Sequence, residues 1–194
     1  MTAPSIAPFP PMLELGDGRL CLRPWQDDDA DSLFEAARES VTSLARWLPW
    51  CHPDYQRHEA IAWIARCREG WHAGEHAALP IFDAAGAELL GAVGLNQFNR
   101  AHRSANLGYW VRQSRHGQGI AAAACRLVTR FGFAQLGLAR IEIVVLPDNH
   151  ASRRTAEKLG AQLEAIARHR LWVDGQPRDA AVHALIPADL QGAR

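Results

Sequence analysis

Polar and apolar residues alternate along Arg19-Leu-Cys-Leu-Arg-Pro24, which predicts a short strand. The acidic cluster Asp27-Asp28-Asp29 follows, where a helix N-terminus favours negative charge, and Leu33, Phe34 and Ala37 continue at helical spacing. A connector, Ser43-Leu-Ala-Arg-Trp-Leu-Pro-Trp50, carries two tryptophans and a proline. From about Asp54 to Trp71, apolar residues at Ile61, Ile64, Ala65, Cys67 and Trp71 predict a second amphipathic helix. The period then changes. Residues 76–82, 88–98 and 104–112 read as three strands, separated by the turn-rich Asp83-Ala-Ala-Gly86 and the polar Asn99-Arg-Ala-His-Arg103. A helix over about 119–135 stops at Gly137, and 140–146 is an apolar strand interrupted only by Glu142. A short helix over about 150–159 ends at Gly160, and two last strands, 162–172 and 178–186, flank the turn Asp174-Gly175. The expected fold is α/β (α+β), a mixed sheet of about seven strands with about four helices, antiparallel early and crossing over through a helix later.

Length and composition narrow the class. The 194 residues suit one domain with a sizeable core, and 48% hydrophobic with 22% charged content excludes a disordered or fibrous chain. We expect a loose lead over 1–12, rich in proline, then one domain over 13–188 and a tail over 189–194. No apolar run approaches a membrane span, and the first residues lack a secretory pattern, so the expected location is cytoplasmic. Twenty-one basic residues balance twenty-one acidic ones, so charge calls for neither nucleic acid nor a membrane as partner. The four cysteines make no CxxC pair and read as ordinary thiols. His72 and His76 have i, i+4 spacing, but Gly70 and Gly74 interrupt the stretch and no third ligand is evident, so no metal is expected.

The chemistry concentrates in Leu107-Gly-Tyr-Trp-Val-Arg-Gln-Ser-Arg-His-Gly-Gln-Gly-Ile-Ala121. A strand runs into a loop with two glycines, and that loop opens a long helix. Helix N-termini expose unpaired N–H groups and the positive end of the macrodipole, and small residues admit an anion closely. A phosphate or pyrophosphate seat at Gly117 to Ala121 follows, against the plainer reading of a tight turn. Gly117-Gln-Gly119-Ile-Ala-Ala122 also fits the dinucleotide fingerprint, with Asp148 as the acid after the next strand. The architecture speaks against a dinucleotide fold: only 46 residues follow Asp148, and the strands of 76–112 look like hairpins rather than a parallel sheet.

His116-Gly-Gln-Gly-Ile-Ala121 resembles the acetyl-CoA signature of the GNAT N-acetyltransferases, and Asn149-His-Ala-Ser152 with Leu159-Gly160 resembles a second motif of that family. Arg46-Trp-Leu-Pro-Trp50, Gly91-Ala-Val-Gly94, Gly108-Tyr-Trp110 and Trp172-Val-Asp-Gly-Gln-Pro-Arg-Asp179 are most similar to the ribosomal-protein (RimJ/RimL-type) branch. The resemblance implies a splayed central strand pair forming an acyl-CoA cleft, with acetyl-CoA as cosubstrate and a primary amine as partner. That amine is a peptide N-terminal α-amino group or a small molecule. The resemblance further implies that Trp110, Val111 and Arg112 hold the pantetheine arm through their backbone. His116, Gly117, Gln118, Gly119, Ile120 and Ala121 make the cofactor motif, with the amides from Gln118 onward on the pyrophosphate. Asn149 contacts the cofactor arm, and Ser152 lies near the thioester sulfur as candidate proton donor. A homodimer is a candidate assembly, dimers being common among such proteins.

Several residues depart from the family pattern. His116 replaces Gln or Arg, which leaves the backbone amides intact. Ala156 occupies the place of a tyrosine general acid, Asn106 that of a glutamate credited with deprotonating the amine, and Ala161 that of a phenylalanine. Asn106 cannot titrate, and with Ala156 it keeps a catalytically weak CoA-binding module in play as the alternative to an enzyme. His52, His72 and His102 are bases by residue type alone. Trp47 and Trp50, beside Pro49, are expected either to pack in the core or to wall the acceptor side of the cleft.

Overall fold

The computed structural model describes residues 6–190. In chain order β1 (Leu15–Gly16) and β2 (Leu20–Leu22) lead into α1 (Ala30–Leu44) and α2 (Arg57–Ala73). Then come β3 (Ala77–Asp83), β4 (Leu89–Asn99), β5 (Ser104–Val111) and α3 (Ile120–Ala134). The chain continues through β6 (Arg140–Val145), α4 (His150–Lys158), β7 (Gln162–Val173) and β8 (Gln176–Leu185). The strands form one sheet in the order β1-β2-β3-β4-β5-β6-β8-β7. Every neighbouring pair is antiparallel except β5 and β6, whose parallel pairing requires the crossover that α3 supplies. The strand beyond the expected seven is β1, two residues long and too short to leave a period in the sequence.

Both faces of the sheet are covered. Leu33, Ala36 and Ala37 of α1, with Ile64 and Cys67 of α2, pack on Phe82 and Leu89. On the other face α3 inserts Ala124, Cys125, Val128 and Phe131 against Leu95 and Leu107. β4 lies between these layers and is buried continuously from Leu89 to Leu95, hence its unbroken run of small and apolar residues. A Cβ on Gly91 would stand 2.1 Å from the Trp110 carbonyl oxygen, so glycine is what lets β4 approach β5 here. β7, at the sheet edge, is exposed along most of its length.

Residues 6–10 of the N-terminal lead, expected to be loose with the rest of it, are packed, whereas Pro11 and Met12 are exposed. Ile6 is buried, the Ala7 N–H donates to the Leu136 carbonyl at 3.0 Å, and Trp71 Nε1 donates to the Pro10 carbonyl at 3.0 Å. Phe9 sits 5.0 Å from the Trp71 ring and 5.5 Å from Phe98, an aromatic cluster whose apolar area outweighs the proline-rich composition. Residues 1–5 of the lead and 191–194 of the tail lie outside the described residues.

Candidate active site

The cleft begins where the parallel pair ends. β5 and β6 are registered only through Ser104↔Arg140, Ala105↔Ile141 and Asn106↔Glu142. Beyond Asn106, β5 stays on β4 as far as Val111, while β6 stays on β8 as far as Val145. The two strands therefore diverge and leave facing backbone edges without ladder partners, a cost the fold accepts only where something else can pair. Between them opens a cleft of about 720 Å³, floored by Gly108 to Val111 and Ile143 to Leu146. Asn106 stands at its apex, with its Nδ2 donating to Asn96 Oδ1 at 3.0 Å and its own Oδ1 uncommitted among the described residues.

At one end of the cleft lies the N-terminus of α3. Gly117 (φ 78°) and Gly119 (φ 76°) adopt the left-handed conformation, and the first helical bond runs from the Ala123 N–H to the Gly119 carbonyl. No protein acceptor takes the N–H groups from Gly117 to Ala122 among the described residues, and all six residues line the cleft. A Cβ on Gly117 or Gly119 would meet no protein atom within 4 Å, so the space above these amides is open. Unpaired amides aligned with a helix dipole, in open space, fit a pyrophosphate. The His116 ring, bonded through Nε2 to the Val111 carbonyl at 2.8 Å, ties this loop to the end of β5.

The loop is braced from α1. Glu39 accepts from Arg112 Nε at 3.0 Å and from the Ser114 N–H at 2.8 Å, while Ser40 Oγ accepts from the Gln113 N–H at 3.0 Å. The Arg112 hydrogen bond, helped by Ser114, holds the Glu39 carboxyl at about 2, well below its ordinary 4.5. Glu88 pairs with Arg115 through contacts of 3.0 and 2.5 Å. The Arg112 side chain thus turns away from the cleft, and its backbone N–H donates to the Leu90 carbonyl of β4 at 2.8 Å, so Arg112, expected to hold a cofactor arm, does not line the cleft.

At the other end is the first turn of α4. Asn149 caps it, its Oδ1 accepting from the Ser152 N–H at 3.1 Å. The Ser152 side chain lies 2.9 Å from the Tyr109 hydroxyl, which also sits 2.9 Å from the Ser152 carbonyl oxygen. Desolvation pushes the Tyr109 phenol well above its ordinary value, so it stays protonated. Ala156, one turn further on, is buried and offers no hydroxyl. Tyr109 was legible as part of the Gly108-Tyr-Trp110 phrase but carried no expected role. Its signal was strand alternation, which puts Leu107, Tyr109 and Val111 on the face that meets α3 and α4. Arg154 and Lys158, four residues apart on α4, also line the cleft and were not foreseen.

The tryptophans separate. Trp47 lines the cleft, whereas Trp50 does not; its ring packs edge-on at 5.5 Å from Trp110 and 5.9 Å from Tyr55. The tight turns from Leu44 to Cys51 send the two indoles to different neighbours. Nor do His72 and His76 share a helical face, because α2 ends at Ala73 and His76 folds back over Gly70. None of His52, His72 and His102 lines the cleft. Among the described residues no helix is long and apolar enough to cross a membrane.

An open parallel pair feeding a glycine-rich helix start is an arrangement for an acyl carrier with a pyrophosphate. Residues 19–162 match the acetyltransferase (GNAT) domain family, and the chain belongs to it. It is an acetyl-CoA-dependent N-acetyltransferase. The chain is 27% identical over 188 residues to the [ribosomal protein uS5]-alanine N-acetyltransferase of Escherichia coli (strain K12), covering 92% of this chain and 93% of the relative. It is 30% identical over 93 residues to the spermidine N(1)-acetyltransferase of the same organism, covering 48% and 50%. The solved structure of Mycobacterium smegmatis RimJ in complex with CoA-disulfide superposes with a TM-score of 0.78 at 28% identity, covering 96% of this chain and 89% of that one.

Proposed function

We infer that the acceptor is an N-terminal α-amino group of a peptide or protein, of the ribosomal-protein type. The observation that carries this reading is the charge of the cleft. Its described lining includes Arg115, His116, Arg154 and Lys158 but no aspartate or glutamate. A polyamine brings two or more positive charges and needs carboxylates to replace its hydration. An α-amine brings one, and with a pKa near 7.7–8.0 about a tenth of it is already neutral at pH 7. A lysine side chain near 10.4 is neutral in only about one molecule in a few thousand, and would need a base that Asn106 cannot supply.

The roles divide along the cleft. The amides of Gln118 to Ala121 hold the pyrophosphate, and Gly117 and His116 shape that loop. Along the open edge of β5 the Val111 N–H meets the pantetheine arm, whereas the backbone of Trp110 and Arg112, expected to share that role, turns to β4, where the Leu90 carbonyl takes the Arg112 N–H at 2.8 Å. Asn149 keeps its Nδ2 for the arm while its Oδ1 caps α4. The Asn106 Oδ1 orients the incoming amine at the apex, Trp47 walls the acceptor side, and Ser152 meets the departing sulfur. The amine then attacks the thioester directly, with positioning contributing about 7–11 kcal/mol and no covalent intermediate on the enzyme.

Thiol release measured over a panel tests the acceptor. Peptides with a free N-terminus should turn over, and the same peptides blocked there but carrying lysine should not, nor should spermidine. Preference for spermidine or lysine overturns this reading. Silence over the whole panel despite tight acetyl-CoA binding would favour the alternative, a CoA-binding module.

A further inference from the structure

We propose that Tyr109 is a positioning residue for the departure of the thiolate: its phenol donates to Ser152 Oγ and so frees the serine proton to point into the cleft at the sulfur. This rests on the acetyl-transfer reading above and holds for any amine acceptor.

The Tyr109 oxygen stands 2.9 Å from both the Oγ and the carbonyl oxygen of Ser152. A phenol has one proton and serves one of these acceptors at a time. With that proton on the carbonyl, the serine hydroxyl donates back to the phenol and nothing is offered to a ligand. With it on Oγ, the serine proton is released to the cleft. Negative charge developing on sulfur favours the second arrangement, because two O–H dipoles in series then point toward it and polarise each other. The Asn149 cap fixes the turn of α4 that carries Oγ. On α4 Ala156 brings no hydroxyl and the Thr155 hydroxyl, which also neighbours the phenol, donates to the Ala151 carbonyl at 3.1 Å, so the supporting donor arrives from β5, across 43 residues of sequence.

In the step itself, the amine nitrogen bonds to the thioester carbonyl carbon and the C–S bond breaks, leaving its electron pair on sulfur. The nitrogen loses a proton, and that proton neutralises the sulfur or passes to water. Tyr109 and Ser152 keep theirs. Burial makes a tyrosinate costly here, so the pair works as a hydrogen-bond donor and not as a net acid.

The test uses the binary complex with CoA, in which thiolate absorption follows ionisation of the bound thiol. Wild-type protein should ionise bound CoA at lower pH than free CoA. Tyr109→Phe and Ser152→Ala should each move that ionisation to about tenfold lower proton concentration, toward the free value. Arg154 and Lys158, cations on this wall with no ion pair among the described residues, and the buried Cys125 thiol near the phenol are the same in every variant. With an acceptor in hand, Tyr109→Phe should lower kcat about 10-fold and leave the acetyl-CoA KM within about 2-fold. The double variant should match Ser152→Ala alone, since the phenol acts only through Oγ. Ser152→Thr should keep the sensitivity to Tyr109→Phe. Additive losses, or a Tyr109→Phe protein with wild-type thiol ionisation and kcat, overturn the proposal. Should Tyr109→Phe fail to fold, Ser152→Ala in the half-buried first turn must still shift the thiol, and no shift overturns the proposal equally. Failure of the wild type to bind CoA would bring down the acetyl-transfer reading itself.

Discussion

The Glu39 carboxylate on α1 grips the Arg112 guanidinium at the end of β5 and takes the Ser114 N–H with its other oxygen. One side chain thereby fixes both the residue that follows β5 and the loop that leads to the α3 amides. The paired carboxyl titrates near 2 when folded and near 4.5 when free. A depressed carboxylate contributes stability that is present above about pH 4.5 and fades as pH falls toward 2. Glu39→Gln should lose about 1 kcal/mol at neutral pH, the scale of a partly exposed charge-assisted bond, or roughly 2–4 °C in Tm. Its Tm should also fall less steeply than wild type between pH 4.5 and 2. Melting curves across pH check both; parallel curves would remove Glu39 from the acid sensitivity.

Gly119→Ala should weaken acetyl-CoA binding about 10-fold or more while changing kcat at saturation far less. The added methyl meets no protein atom, but it projects into the space over the unpaired amides, and its φ of 76° costs about 1–2 kcal/mol for any L side chain. Calorimetric titration with acetyl-CoA reads the change. NAD, titrated in parallel, should give no binding to either protein.

Trp47→Ala and Trp50→Ala should fail in different ways. Trp47 faces the cleft, so its loss should raise the acceptor KM with the acetyl-CoA KM unchanged. Trp50 packs on Trp110 and Tyr55 and is 37% exposed, so its loss should cost about 1–3 kcal/mol of stability, below the range for a fully buried indole. Steady-state kinetics beside thermal melts separate the two. A Trp50→Ala enzyme of wild-type stability with a raised acceptor KM would reverse the assignment.

His183, on β8 beneath α4, is fully buried and neither ring nitrogen has a hydrogen-bond partner among the described residues. Burial first, and the nearby Arg153 charge second, lower its pKa below the ordinary 6.5. A base depressed on folding leaves stability unaffected above about pH 6.5, and costs stability as pH falls below it, because the unfolded chain takes the proton first. His183→Leu should therefore flatten the Tm curve between about pH 6.5 and 5 without lowering Tm at pH 7.5. A variant that retains the wild-type slope would assign that sensitivity elsewhere.

Most elements were readable because each leaves a local period. Alternation marked β2, helical spacing marked α1 and α2, and glycines punctuated the ends of α3 and α4. The open helix start was readable for the same reason: Gly117, Gly119 and the helix they open are neighbours in sequence, and their amides need no distant partner. The lead was misjudged because its proline content says nothing of Trp71, whose ring Phe9 meets 62 residues away. Trp50 was grouped with Trp47 on adjacency, and the turns after α1 separate them.

The chain's own order of residues suffices for the family, the order of elements and the glycine-rich helix start, since those are written in spacing and residue type. Folding in three dimensions sets the rest. The split of β5 from β6 after Asn106 depends on β4 and β8 each holding one strand, and no period along the chain records when two strands stop pairing. The same holds for the brace from Glu39 to Arg112, 73 residues apart, and for the phenol of Tyr109 beside Ser152, 43 residues apart. Hydrogen bonds form at about 3 Å, and distances of that size between remote residues follow from packing, which local pattern does not encode.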